Sequence, residues 1–186
     1  MRHPPVRKTA RVDRQELATR INDVCRLTGR FELRSGQISD QYFDKYLFEA
    51  DPVLLAAVAD QAARLVPEGT EVLAGLELGG VPVATALSLV TGLPVAFVRK
   101  AAKPYGTTKL AEGASVDGRR VLVIEDVITT GGQVVQSTDQ LREQGAKVDQ
   151  VLCVIDRSGG NHTALTEASL TMRSLFTSQE LNANPS

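Results

Sequence analysis

The chain has 186 residues, 42% of them apolar and 23% charged. This is the make-up of one folded globular domain and excludes a disordered or fibrous chain. Basic and acidic residues number 21 and 22, a net charge of −1, so no global field draws in nucleic acid or a membrane and any anion site must be built locally. With two histidines and two cysteines, histidine-rich metal sites and zinc ribbons are largely excluded. Cys25 and Cys153, each among apolar neighbours, read as reduced core thiols of a cytoplasmic protein.

Residues 1–12, MRHPPVRKTARV, carry four Lys/Arg and no apolar segment. They read as a disordered basic tail rather than a secretory signal, ahead of a single domain over 13–186. Asp13 and Glu16 form a variant capping box, and Leu17, Ile21, Val24 and Leu27 follow at helical spacing until Gly29. Residues 30–49 mix alternating apolar positions with Ser-Gly and Ser-Asp turns, which predicts paired strands forming a small N-terminal hood. Asp51-Pro52 then opens a helix through about Leu65.

From there the pattern is strand, helix, strand. Glu71–Gly75 is a strand, Val81–Val90 a helix, Leu93–Val98 a strand and Val121–Ile124 a continuous buried strand. A helix runs from the TTGG turn to Gln144, with Gly145 at its C-cap, and strands follow at Val148–Ile155 and Leu170–Phe176. Leu78–Val98 has no formal charge over 21 residues, about the length of a membrane span. Its internal Gly79, Gly80, Pro82, Gly92 and Pro94 instead predict a buried helix feeding a buried strand. The alternation implies an α/β fold, a parallel twisted sheet with helices on both faces and ligands at the carboxyl ends of its strands.

The strongest chemical signal is VLVIEDVITTGGQ, residues 121–133. Glycines expose backbone N–H groups, threonines add hydroxyls and the following helix contributes its positive end, which together cradle a phosphate. Glu125 and Asp126 beside that cradle would repel phosphate unless they face ribose hydroxyls or a magnesium ion travelling with the anion. A sugar phosphate satisfies both halves. Neither a P-loop nor a G-x-G-x-x-G turn is present. The segment RKAAKPYGTTKLAEG, residues 99–113, holds Arg99, Lys100, Lys103 and Lys109 with no acid until Glu112. Read alone it is a solvated loop; before the Glu125-Asp126 strand it reads as a lid over a polyanionic substrate.

These segments resemble the type I phosphoribosyltransferases, and among them the orotate phosphoribosyltransferases. VLVIEDVITTGG is similar to the family's signature for 5-phosphoribosyl 1-diphosphate (PRPP). RKAAKPYG followed by EG resembles the orotate enzymes' catalytic loop, and FELRSGQISDQYFD, residues 31–44, their N-terminal segment. The resemblance spans roughly residues 14–176 and implies magnesium-dependent transfer of phosphoribosyl from PRPP to orotate, in pyrimidine biosynthesis. It implies that Arg99, Lys100, Lys103 and Tyr105 hold PRPP together with Glu125, Asp126, Val127, Ile128, Thr129, Thr130, Gly131, Gly132 and Gln133. Lys103, Glu125 and Asp126 take the catalytic roles, and Thr129, Arg157, Tyr42, Phe43 and Arg34 meet orotate. Magnesium would ride mainly on PRPP, with no direct protein ligand. The family pattern also implies a homodimer whose catalytic loop serves the neighbouring subunit, and no nucleic-acid or membrane partner.

Three positions depart from that pattern. Arg34 stands where many members have lysine, Gly79 where some bacterial members have lysine, and Tyr105 where a loop histidine is common. A purine phosphoribosyltransferase would share the cradle, and Arg157, Tyr42 and Phe43 argue against it. A PRPP-sensing regulator would need no cationic loop.

Overall fold

The computed structural model describes residues 12–32, 36–100 and 110–183. Helix α1, Arg14–Cys25, starts at Asp13, whose carboxylate accepts the Glu16 N–H at 2.8 Å. The helix stops short of Gly29, because Arg26 turns to extended backbone and the chain enters β1, Arg26–Glu32. Leu27, spaced as the next helical apolar residue, pairs instead with Tyr42 of β2, Ile38–Phe43. The hairpin therefore begins earlier than its alternating pattern predicts. It also ends earlier: α2, Tyr46–Ala50, is a short helix whose Phe48 is fully buried. The core contact of Phe48 overrides the strand-like alternation that runs to residue 49. Helix α3, Pro52–Ala62, is capped by the Asp51 carboxylate, which accepts from the N–H groups of Val53 and Leu54, and a 3₁₀ turn carries it through Leu65 as predicted.

The remaining elements are β3 (Val72–Leu76), α4 (Gly80–Thr91), β4 (Val95–Val98), β5 (Ala111–Gly113), β6 (Arg120–Ile128) and α5 (Gly132–Glu143). Then come β7 (Lys147–Asp156), α6 (Thr163–Glu167), β8 (Thr171–Thr177) and α7 (Ser178–Asn182). The sheet order is β5-β4-β3-β6-β7-β8, parallel from β4 to β8, with β5 antiparallel at the edge beside β4. The sequence pattern misses β5: three residues, Ala-Glu-Gly, carry no periodicity. Strand β6 also runs four residues past its predicted end, because Glu125, Val127 and Ile128 keep pairing with β7.

Alternation along the strands divides the apolar side chains between two layers. Leu73 and Leu122 face a layer built with Leu17, Ile21, Phe48, Leu87 and Phe176, under α1 to α4. Val72, Val123 and Val151 face the other, closed by Val134 and Leu141 of α5 and Leu165 of α6. The uncharged run is α4, a Gly92 C-cap at φ 75° and β4, in the predicted order but not fully buried: Leu89 and Val90 of α4 and Phe97 of β4 are exposed. Among the described residues no helix is long and apolar enough to cross a membrane. All five parallel strands end at one edge, and there β3, β6 and β8 turn into helices.

Candidate active site

Strand β6 delivers the chain to Thr129-Thr130-Gly131, and α5 begins at Gly132. The turn requires glycine at 131: φ is 77°, and a Cβ there would stand 3.0 Å from the Leu165 side chain. The first N–H groups of α5 have no partner within the helix, and its dipole puts partial positive charge at the same spot. Thr129 and Thr130 are exposed beside them. This is a preformed anion cradle made mostly of backbone.

Below it the acid pair is buried. Asp126 is 0% exposed and Glu125 9%. Asp126 accepts from its neighbour's backbone, the Val127 N–H at 2.7 Å, and pairs with the Lys45 ammonium. Glu49, also buried, approaches the same carboxyl from α2. Burial, then hydrogen bonding with Asp126, pushes the Glu49 and Glu125 carboxyls up to about 9, so both hold protons at neutral pH. Burial also works against the Asp126 anion, but hydrogen bonds from Glu125, Glu49 and Lys45 outweigh it and hold that carboxyl below its ordinary range. The Lys45 ammonium pairs with this buried cluster of carboxyls.

Close packing at the β3–α4 turn accounts for Gly79. A Cβ there would lie 1.8 Å from Asp126 Oδ2 and 2.9 Å from Glu49 Oε1, so any side chain, lysine included, would displace the acid cluster. At Gly80 a Cβ would meet the Ile124 carbonyl at 2.3 Å. On the other flank of β3, Arg99 and Lys100 leave the end of β4. The Lys100 N–H donates to Glu77 Oε2 at 3.1 Å, tying that strand end to the β3–α4 turn. The Nε of Arg99 is buried with no hydrogen-bond partner among the described residues, an orphaned donor at the site's rim.

A cavity of about 180 Å³ opens beside the cradle, at the ends of β2 and β7 and against α7. Tyr42, Phe43 and Arg157, to which the family resemblance gives the base, are among its lining residues. The guanidinium carbon of Arg157 stands 5.7 Å from the centre of the Phe43 ring. Arg26 and Asn182 line it too, hydrogen-bonded to each other. The Arg157 backbone N–H donates to the Ile128 carbonyl at 2.8 Å, and next to it the Asp156 carboxylate accepts from the Ser158 N–H at 2.8 Å and holds His162 at 3.0 Å.

The structure therefore brings Glu125 through Gln133, Arg99, Lys100, Tyr42, Phe43 and Arg157 to one sheet edge. Lys103, Tyr105, Arg34 and the residue 1–11 part of the basic tail lie outside the described residues. Among the described residues no group of three His, Cys, Asp or Glu stands ready to hold a metal. Lys45, Glu49, Arg26 and Asn182 are missed by the sequence reading. The only available signal was weak: Lys45 and Glu49 are four residues apart on a helical turn, the spacing of an ordinary surface pair.

A parallel sheet carrying two acids and a Thr-Thr-Gly-Gly cradle on its central strand defines a class, and residues 41–166 match the model of the phosphoribosyl transferase domain. An orotate phosphoribosyltransferase of a Nocardioides species is 58% identical over 167 residues, covering 90% of this chain and 93% of that protein. Two crystal structures of Mycobacterium tuberculosis orotate phosphoribosyltransferase each cover 91% of this chain and 98% of their own. The complex with inorganic phosphate has a TM-score of 0.81 at 31% identity, the complex with PRPP 0.78 at 30%. The chain belongs to the phosphoribosyl transferase family, in its orotate phosphoribosyltransferase branch.

Proposed function

We propose that the protein transfers phosphoribosyl from PRPP to orotate, giving orotidine 5′-monophosphate and diphosphate in pyrimidine biosynthesis. One observation carries this reading: the cradle, the acid pair and the arginine-aromatic pocket sit on the adjacent ends of β6 and β7. A ribose phosphate bound in the cradle would present its anomeric carbon toward a base in the pocket.

The bond to break joins that carbon to diphosphate, so positive charge grows on the ribose while negative charge grows on the leaving group. Thr129 to Gly132 hold the 5′-phosphate, and of the acid pair Glu125 meets the ribose hydroxyls while Asp126, fully buried in this structure, supports it from beneath. Arg99, Lys100 and Lys103 take the diphosphate, with Lys103 answering the charge that builds as it departs. Arg157 receives the orotate carboxylate through charge-assisted hydrogen bonds, with Tyr42 and Phe43 against the ring. Because the Asp126 anion is buried and engaged by Lys45, the acid pair offers magnesium no free carboxylate, which suits an ion carried on PRPP. Magnesium would neutralise diphosphate charge that a protein of net charge −1 cannot. We further propose a single cytoplasmic domain over 13–186 that works as a homodimer, each catalytic loop serving the partner's site.

Separate assays with orotate, hypoxanthine and adenine test the base. Turnover is expected with orotate alone; turnover with a purine base instead would replace this reading.

A further inference from the structure

We propose that Lys45 and Glu49, which lie outside the phosphoribosyl motif, are positioning residues for the acid pair: they fix the Asp126 carboxyl against the Gly79-Gly80 turn and set the charge beneath the ribose. The inference rests on the transfer reaction proposed above and assigns a device that its motif does not contain.

The geometry starts from a cost. Asp126 is fully buried, and a lone buried carboxylate is strongly unfavourable unless it is paired and hydrogen-bonded. Its own strand supplies one donor, the Val127 N–H. The rest comes from α2: Lys45 precedes the first turn and Glu49 lies four residues on, so one helical face delivers both. Gly79 completes the arrangement by leaving empty the volume that the carboxyl fills.

The groups around Asp126 can be named from every side. Glu125 adjoins it on β6; Lys45 and Glu49 face it from α2, with Asp44 and Tyr46 next to them; Cys153 lies on β7; the Gly79-Gly80 turn brings no charge. Were all three carboxyls ionised, the floor would repel the phosphates of PRPP. With Lys45 paired to it, the buried Asp126 carboxylate is offset within the floor, and Glu125, the less deeply buried of the pair, is left beneath the ribose hydroxyls. Lys45 also lies over the Tyr46 ring, 5.2 Å from its centre, which restrains the ammonium.

Without Lys45, the buried Asp126 carboxyl takes up a proton nearer neutral pH and no longer holds Glu125 in place beneath the hydroxyls. Without an ionisable group at 49, little should change, because an amide there still donates to Asp126. PRPP binding by titration calorimetry and kcat/KM for PRPP, each followed from pH 5 to 9, test this. Lys45→Met is expected to weaken PRPP about tenfold at pH 7 and to raise the acid limb by about one pH unit, with KM for orotate changed less than about twofold. Lys45→Arg is expected to return the limb at least halfway. Glu49→Gln should resemble the wild type, and Glu49→Ala should not. An acid limb that stays in place in Lys45→Met, whatever activity is lost, overturns the proposal, as does Glu49→Gln matching Glu49→Ala. If Lys45→Met does not fold, the two Glu49 variants decide. A wild-type protein that fails to bind PRPP would instead overturn the transfer reaction itself.

Discussion

The cradle and the floor beneath it treat negative charge in opposite ways. The cradle is open, built from backbone N–H groups and a helix end, and its character is independent of pH. The floor is closed, built from Lys45, Glu49, Glu125 and Asp126, and its charge depends on which carboxyls hold protons. The proposed transfer uses both: fixed donors for the phosphate, and a packed floor whose one buried ion pair sits beneath the sugar.

The largest expected effect tests the lysine that the proposed function assigns to the departing diphosphate. Lys103→Ala should lower kcat on the order of 100-fold or more with the melting temperature unchanged, and near-normal turnover would remove the charge-stabilising role. Arg157→Ala comes next. Losing a charge-assisted hydrogen bond is worth roughly 1.5–3 kcal/mol, so KM for orotate should rise on the order of tenfold or more while KM for PRPP holds; equal changes in both would mean that Arg157 acts on the fold.

Glycines sharpen the contrast between the two regions. Gly79→Ala drives a methyl into Asp126 and should destabilise by about 1–3 kcal/mol in denaturant titrations. Gly132→Ala, with nothing within 4 Å of its Cβ position, should stay within about 0.5 kcal/mol. Similar costs at the two positions would contradict the packed floor and open cradle.

The smallest effect expected is a pH trend. The folded carboxyls of Glu49 and Glu125 lie above their unfolded value of about 4.3, so their contribution to stability is full below that pH and is lost as pH rises toward about 9. The ligand-free melting temperature should therefore fall between pH 7 and 9.5, and less steeply in Glu49→Gln. Asp156 works with the opposite sign: its carboxyl, held low chiefly by Ser158 and then His162 against the pull of burial, stabilises above about pH 3.9 and loses that effect in acid. A flat alkaline profile would mean that the buried carboxyls titrate normally.

Much of this was legible in the chain because it is local. The run from Val121 to Gln133 spells a strand, two acids, a turn and a helix, and the structure keeps that order, with both acids inside a strand that runs on to Ile128. Arg157, one residue past β7, came instead from the family resemblance. Lys45 was not legible. As a sequence feature it is one lysine among short-range charges, and it becomes chemistry only where the hood meets β6, a contact between distant segments. Arg26 and Asn182, 156 residues apart, meet in the pocket for the same kind of reason. The early end of α1 shows the limit from the other side: Leu27 keeps helical spacing, but pairing with Tyr42 outweighs it.

Loss of orotate absorbance in the presence of PRPP and magnesium, then with each omitted, tests the central claim most directly. The account predicts steady consumption of orotate that stops without PRPP and collapses without magnesium. Orotate left unconsumed in the complete mixture, or consumed at the same rate without PRPP, would contradict it.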